Sequence, residues 1–161
     1  MIITIARKYG SGGREIGQRL AKHLDIPYYN VDTLPHTRIE DWQEEILRLA
    51  DAGPCVMVGF CADHVLAGRE GLMRTFIHCD MEHRLQRIME ENHLSREQAQ
   101  REALYQDRER ARLYGLYTGE KWANLDRYDL TVNSSLLGTV GTVELLGQIV
   151  ALNVMRKRRG Q

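Results

Sequence analysis

The sequence predicts an α/β fold, a three-layer α/β/α sandwich built around a parallel sheet of about five strands. Three observations predict it. Short β-branched or apolar runs alternate with stretches of helical period along the whole chain. The first run leads straight into a glycine-rich turn, and that turn opens the first helix. A length of 161 residues, with 43% hydrophobic and 27% charged residues, fits one ordinary domain spanning 1–161 with a sizeable core.

Each element follows from its residues. Ile2, Ile3, Thr4, Ile5 and Ala6 form the run expected of a buried parallel strand. After the turn, Ile16, Leu20, Ala21 and Leu24 recur at helical spacing. Residues 27–31 read as a second short strand and 32–37 as a loop in which Pro35 breaks regular structure. Trp42, Ile46, Leu49 and Ala50 share one face of a helix over 41–52, which Gly53 and Pro54 end. Residues 55–60 give the third strand and 63–67 a short helical segment. Residues 72–79 carry the fourth strand, and 81–92 a helix with Leu85, Ile88 and Met89 inward. Ser95 and Gln98 fit a capping box that starts a long polar helix running to Tyr117, where Thr118 and Gly119 stop it. Residues 128–133 are the fifth strand, 143–155 the last helix, and Arg156 to Arg159 a basic end that complements the helix dipole.

Composition narrows the function classes. Twenty-two Lys and Arg balance 22 Asp and Glu, so no global field draws the chain to nucleic acid or to an anionic membrane. No stretch is read as approaching the roughly 20 apolar residues of a membrane span, and no signal peptide is read at the N-terminus. Cys55, Cys61 and Cys79 stand too far apart for a disulfide framework or a zinc pattern, which points to a reducing cytoplasm. His78, Cys79 and His83 straddle a strand end and a helix, and no metal site is read there. Self-association is compatible with the sequence.

The strongest local signal runs from Ala6 to Gly17, with Gly10, Ser11, Gly12 and Gly13 at its centre. Glycines permit positive φ and let backbone N–H groups converge on an anion. The helix that follows adds its dipole and its unpaired first N–H groups. Arg7, Lys8 and Arg14 supply positive charge. The pattern is a phosphate cradle, although not the strict G-x-x-x-x-G-K-[ST], because Arg14 and Glu15 stand where Lys and Ser/Thr would be.

Residues 3–7 and 10–16 resemble the opening of the cytidylate kinase-like family. Residues 56–66, VMVGFCADHVL, resemble its third strand and turn. Residues 94–95, 107–122 and 128–135 resemble its lid and last strand, in the family's order. The resemblance implies a P-loop NTPase fold of the nucleoside monophosphate kinase type, ATP with Mg2+ as phosphoryl donor, and CMP-like acceptors. Gly10, Ser11, Gly12, Gly13 and Arg14 match the phosphate turn, and Glu15 adjoins it. Asp63 matches an acidic position after the third strand, where it would hold magnesium or a ribose hydroxyl or simply cap the next helix. Arg110, Tyr114, Tyr117, Thr118 and Gly119 match the lid, here about 95–122, and Asp129 and Asn133 match the last strand.

The expected site therefore has Arg14 and Arg110 as catalytic cations, residues 10–15 around ATP, and Asp63, Arg108, Arg112 and Tyr114 toward the acceptor. Within the lid two choices stay open: the resemblance favours Arg110, whereas helical spacing puts Arg108 and Arg112 on a shared face. Tyr114, Tyr117 and Trp122 either stack on a base or pack the lid against the sheet. Two departures weaken the acceptor side. Phe60 occupies the place of a family arginine, and the connection over 30–41 is shorter than the family's acceptor cap. A nucleotide kinase is the leading expectation, with an inactive nucleotide-binding protein, or a kinase for a smaller acceptor, as rivals.

Overall fold

The structure, a computed structural model, describes every residue except 35–37, 60, 159 and 161. The expectations placed on Pro35, Phe60 and Arg159 lie outside the described residues.

Five strands form one parallel sheet in the order β2-β3-β1-β4-β5. They are β1 (Ile2–Arg7), β2 (Tyr28–Asn30), β3 (Cys55–Val58), β4 (Leu72–His78) and β5 (Leu130–Asn133). Strand β1 is central, pairing Ile2 with Cys55 on one side and with Leu72 on the other. Its residues are buried without a break, as a strand covered on both faces must be. The helices are α1 (Gly13–Leu24), α2 (Ile39–Asp51), α3 (Ala62–Val65), α4 (Met81–Asn92), α5 (Arg96–Thr118) and α6 (Ser134–Arg158).

The period-2 alternation of the strands divides the core. Ile3, Ile5, Val56, Val58, Met73, Ile77 and Val132 face α1 and α6, meeting Ile16, Leu20, Val143, Leu146 and Val150. Ile2, Cys55 and Met57 face the other way, onto Val31, Ile46, Leu49, Ala62 and Leu66. This is the three-layer sandwich expected. The layers meet closely at Gly17, where a Cβ would lie 2.3 Å from the Val58 Cγ2 methyl. Gly17→Ala is expected to lower stability by about 1–3 kcal/mol through overpacking, read as a lower thermal midpoint.

Of the two longest helices, α5 is as expected and α6 is not. Helix α5 runs unbroken over 23 residues, and its capping box is complete, with the Ser95 side chain accepting from the Gln98 N–H. Helix α6 starts at Ser134 rather than near residue 143 and is interrupted at Gly138, whose φ of 65° and ψ of −178° are not helical. The piece before Gly138 carries Leu136 and Leu137 in the open, so no inward period marks it. With that piece included, Ser134–Lys157 is long and apolar enough to cross a membrane by length and composition, which corrects the reading that no stretch approaches it. In this fold the helix lies along α1 with Val143, Leu146 and Val150 in the core.

Candidate functional site

The glycine-rich turn leaves the C-terminal end of β1, at the sheet's centre, where open α/β sheets bind ligands. Gly10 and Gly12 have φ of 75° and 79°, the left-handed region that glycine adopts without strain. Lys8 N–H donates to the Ile77 carbonyl at 2.9 Å and Ser11 N–H to the Lys8 carbonyl at 3.2 Å. Ser134 Oγ donates to the Ser11 carbonyl at 2.7 Å, tying the turn to the start of α6. The first backbone bond of α1 is Ile16 N–H to the Gly12 carbonyl at 2.9 Å. The N–H groups of Gly12, Gly13, Arg14 and Glu15 thus have no backbone acceptor among the described residues. They border a cavity of about 320 Å³.

Cations surround that cavity. Arg14 is exposed, lines it, and makes no ion pair among the described residues. Arg87 of α4 stands over Gly12, where a Cβ would meet its Nη2 at 3.0 Å. It pairs with Glu15 at 3.1 Å and donates to Thr139 Oγ1 at 3.2 Å. Arg110 of α5 donates to the Arg7 carbonyl at 2.9 Å and lies 5.7 Å from the Tyr9 ring centroid. Burial, and the like charge of Arg7 beside it, push the Arg110 pKa down to about 10. Among the described residues no carboxylate forms an ion pair with Arg110. Arg7 itself is buried and paired with Asp32 at 2.6 Å.

Two α4 and α5 residues brace the turn from outside. Tyr9 N–H donates to Asp107 Oδ1 at 2.9 Å, and Arg84 Nε donates to the Tyr9 carbonyl at 2.6 Å. Arg84 and Asp107 also pair directly at 2.6 Å, with side chains 6% and 12% exposed. Lys8 Nζ lies 3.8 Å from Asp107 and 4.6 Å from the Trp122 ring centroid.

A second, smaller cavity of about 20 Å³ adjoins the first and shares Arg7 and Arg110 with it. Asp63 lines it and is 2% exposed. Its Oδ2 accepts from the Tyr114 hydroxyl at 2.9 Å, and its Oδ1 has no hydrogen-bond partner among the described residues' side chains. Burial raises the Asp63 pKa, an effect the Tyr114 hydrogen bond opposes. A carboxyl with a raised folded-state pKa penalises folding above the ordinary carboxylate range, and the penalty is relieved as pH falls through the raised value. Asp63→Asn is therefore expected to raise the thermal midpoint at pH 7, with the two proteins converging in acid. Equal midpoints at pH 7 would contradict it.

The structure thus brings Gly10, Ser11, Gly12, Gly13, Arg14, Glu15 and Arg110 to one cavity, and Asp63 and Tyr114 to its neighbour. It does not bring Arg108 or Arg112 there. Both are exposed, and Arg112 pairs with Glu109 at 3.0 Å. Their shared face is the solvent face of α5, since the opposite stripe, through Ala103, Asp107, Arg110 and Tyr114, is the one packed inward. Glu15 is engaged by Arg87 and by Arg19, the latter at 2.7 Å. Trp122 packs at 5.6 Å from the Phe76 ring, and Phe76 at 5.0 Å from Tyr128, so the aromatics after α5 serve packing. Arg84, Arg87 and Asp107 were not singled out from sequence, although Ala99, Ala103 and Asp107 recur at intervals of one helical turn.

A parallel five-stranded sheet with a glycine-rich turn between its central strand and the first helix defines a P-loop kinase type of α/β protein. The chain belongs to the cytidylate kinase-like family, whose pattern matches residues 2–40 and 32–136. No curated protein sequence matches it. An uncharacterized protein from Eubacterium ventriosum has a similar crystal structure, at 24% identity and a TM-score of 0.86, over 94% of this chain and 98% of that one. Shikimate kinase from Bacteroides thetaiotaomicron is similar at 11% identity and a TM-score of 0.58, over 94% and 98% of the two chains. A gluconokinase from Sinorhizobium meliloti is similar at 16% identity and a TM-score of 0.53, over 94% and 95%. These likenesses show the kinase-like fold.

Proposed function

We propose that the protein transfers the γ-phosphoryl group of ATP, taken as its magnesium complex, to a nucleoside monophosphate. One observation carries this reading: Arg110 is held half-buried beside an open turn of N–H donors, next to Arg7, with no acid paired to it among the described residues. A desolvated cation so placed is stabilised by an anion in the cavity. Phosphoryl transfer asks for that arrangement, because catalysis is chiefly positioning and charge neutralisation.

The turn and Arg14 would hold the triphosphate. Arg87 and Glu91 also border a further cavity of about 360 Å³, lined by Ser134, Ser135, Gly138 and Thr139, with room for the remainder of the donor. Among the described residues no cluster of three His, Cys, Asp or Glu side chains could hold a metal. Magnesium would therefore be held mainly by the phosphates and water, as is common for Mg2+. The acceptor oxygen would attack the γ-phosphorus from the Asp63 side as the bond to the β–γ bridging oxygen breaks and ADP departs. Arg110, bordering both cavities, would neutralise the transferred group.

A second reading, a smaller acceptor, is favoured by the short connection over 30–41, which leaves little chain to cover a nucleotide. The test is a transfer screen with ATP and magnesium against all nucleoside monophosphates and against small hydroxylated acids. With Phe60 in place of a family arginine, turnover on CMP is expected below about 1 per second, the lower end for enzymes. Saturable ATP binding with no transfer to any acceptor would contradict the kinase reading and leave a nucleotide-binding protein of the same fold.

A further inference from the structure

We infer that Asp107, together with Arg84, is a positioning pair for the phosphate turn: it fixes the two peptide groups on either side of Tyr9 and thereby the direction in which the turn's N–H groups point. The inference rests on the proposed phosphoryl transfer for its functional meaning. Its geometry is independent of that reading.

Tyr9 lies outside every helix and strand, directly before Gly10. The two peptide groups that flank its Cα are each held by a side chain distant in sequence. Asp107 Oδ1 takes the Tyr9 N–H at 2.9 Å, and Arg84 Nε gives a hydrogen bond to the Tyr9 carbonyl at 2.6 Å. The 2.6 Å bond between Arg84 Nη2 and Asp107 Oδ2 closes the bracket. A glycine-rich turn has little conformational preference of its own. Gly10, Gly12 and Gly13 would sample many arrangements unless something outside them selected one, and the bracket supplies that selection at their N-terminal edge. Two residues further on, Ser134 grips the Ser11 carbonyl. Beyond that grip the N–H groups of Gly12, Gly13, Arg14 and Glu15 border the cavity without a backbone acceptor among the described residues.

The bracket is also a pair of ions almost removed from water, which makes it stiff. A charged pair with three mutual and backbone hydrogen bonds does not exchange partners easily. Asp107 further holds the Lys8 ammonium at 3.8 Å, on the side where Trp122 covers it. Lys8 is thereby engaged away from the turn's centre, and Arg14 and Arg110 remain as the cations that border the cavity without an acid partner among the described residues. Asp107 does not border that cavity itself, so it acts through the backbone of Tyr9 and not on a ligand.

A purely structural salt bridge and a positioning pair predict different outcomes. Asp107→Ala leaves Arg84 buried without its counter-ion and is expected to destabilise the protein or prevent folding. The double variant Asp107→Ala with Arg84→Met removes both charges, so its thermal midpoint should recover toward that of the wild type. The bracket on Tyr9 is still gone. Two readouts are taken on the wild type and the double variant: amide hydrogen exchange at Tyr9, and calorimetric binding of inorganic tripolyphosphate as the probe. The expected result is exchange at Tyr9 at least tenfold faster, with Ile3 and Ile5 unchanged, and tripolyphosphate affinity at least tenfold weaker despite the recovered midpoint. Unchanged Tyr9 exchange, or affinity that returns together with the midpoint, would overturn the inference and reduce the pair to a strut. If the wild-type protein bound no tripolyphosphate, the phosphate reading would fall, and Tyr9 exchange would still decide whether Asp107 holds the turn.

Discussion

Gly12→Val is expected to bind ATP at least about 100-fold more weakly than the wild type while remaining folded, a loss of about 2.7 kcal/mol. Two physical effects produce it. Gly12 has a φ of 79°, which a β-branched residue adopts only at a cost of about 1–3 kcal/mol, so the turn would shift to escape it. A Cβ there would also lie 3.0 Å and 3.1 Å from Nη2 and Cζ of Arg87, displacing that side chain from above the turn. Each N–H turned away from the anion forfeits a charge-assisted hydrogen bond of about 1.5–3 kcal/mol, so the loss of one or two suffices. The core at Ile5, Ile16 and Val58 lies beneath the turn and is untouched, which keeps the fold. Calorimetric titration with ATP and magnesium reads the effect, and wild-type affinity in a folded Gly12→Val protein would refute the assignment of the turn.

If the proposed phosphoryl transfer holds, Arg110→Ala is expected to lower its rate by about 1,000-fold, the lower end of what a single arginine on a transferring phosphoryl contributes. Its effect on folding is small, because the removed cation is desolvated, has no acid paired with it among the described residues, and gives up one bond to the Arg7 carbonyl. Arg110→Lys recovers little, since an ammonium cannot bond the Arg7 carbonyl and an oxygen of the phosphoryl group through one planar fork. Arg108→Ala and Arg112→Ala are expected to leave the rate near that of the wild type, because both side chains stand on the solvent face of α5. Steady-state rates with the best acceptor from the screen separate these outcomes. A rate that falls with Arg108 or Arg112 and not with Arg110 would move the catalytic cation to the other face.

Much of this arrangement was legible in the residues. The unbroken β-branched run from Ile2 to Ala6 and the glycines after Arg7 marked a buried parallel strand and its turn, because side-chain branching and conformational freedom are local properties. The capping box at Ser95 placed the start of α5 for the same reason. Choosing among the α5 arginines needed the helix's inward stripe. That stripe is hidden in sequence, because it is built from Ala99, Ala103, Asp107, Arg110 and Tyr114, a mixture of small, charged and aromatic residues with no apolar period. The spacing of four, four, three and four along these residues is helical, and each reaches a partner: Tyr9 for Asp107, Arg7 for Arg110, Asp63 for Tyr114. Arg84 was equally hidden, a charge at a core position of α4, four residues before Ile88. The early start of α6 leaves no periodic signal in the sequence, because Leu136, Leu137 and Val140 face outward and Gly138 breaks the period.

The most direct test of the central claim, that the turn seats the phosphates of ATP, is an amide chemical-shift titration of the uniformly 15N-labelled protein with ATP and magnesium. The free N–H groups of Gly12, Gly13, Arg14 and Glu15 should show the largest saturable shifts, with the Arg110 side-chain Nε–H moving alongside them. Shifts confined to the cleft between Glu82 and Arg96, or no saturable shift at any resonance up to millimolar ATP, would contradict the account.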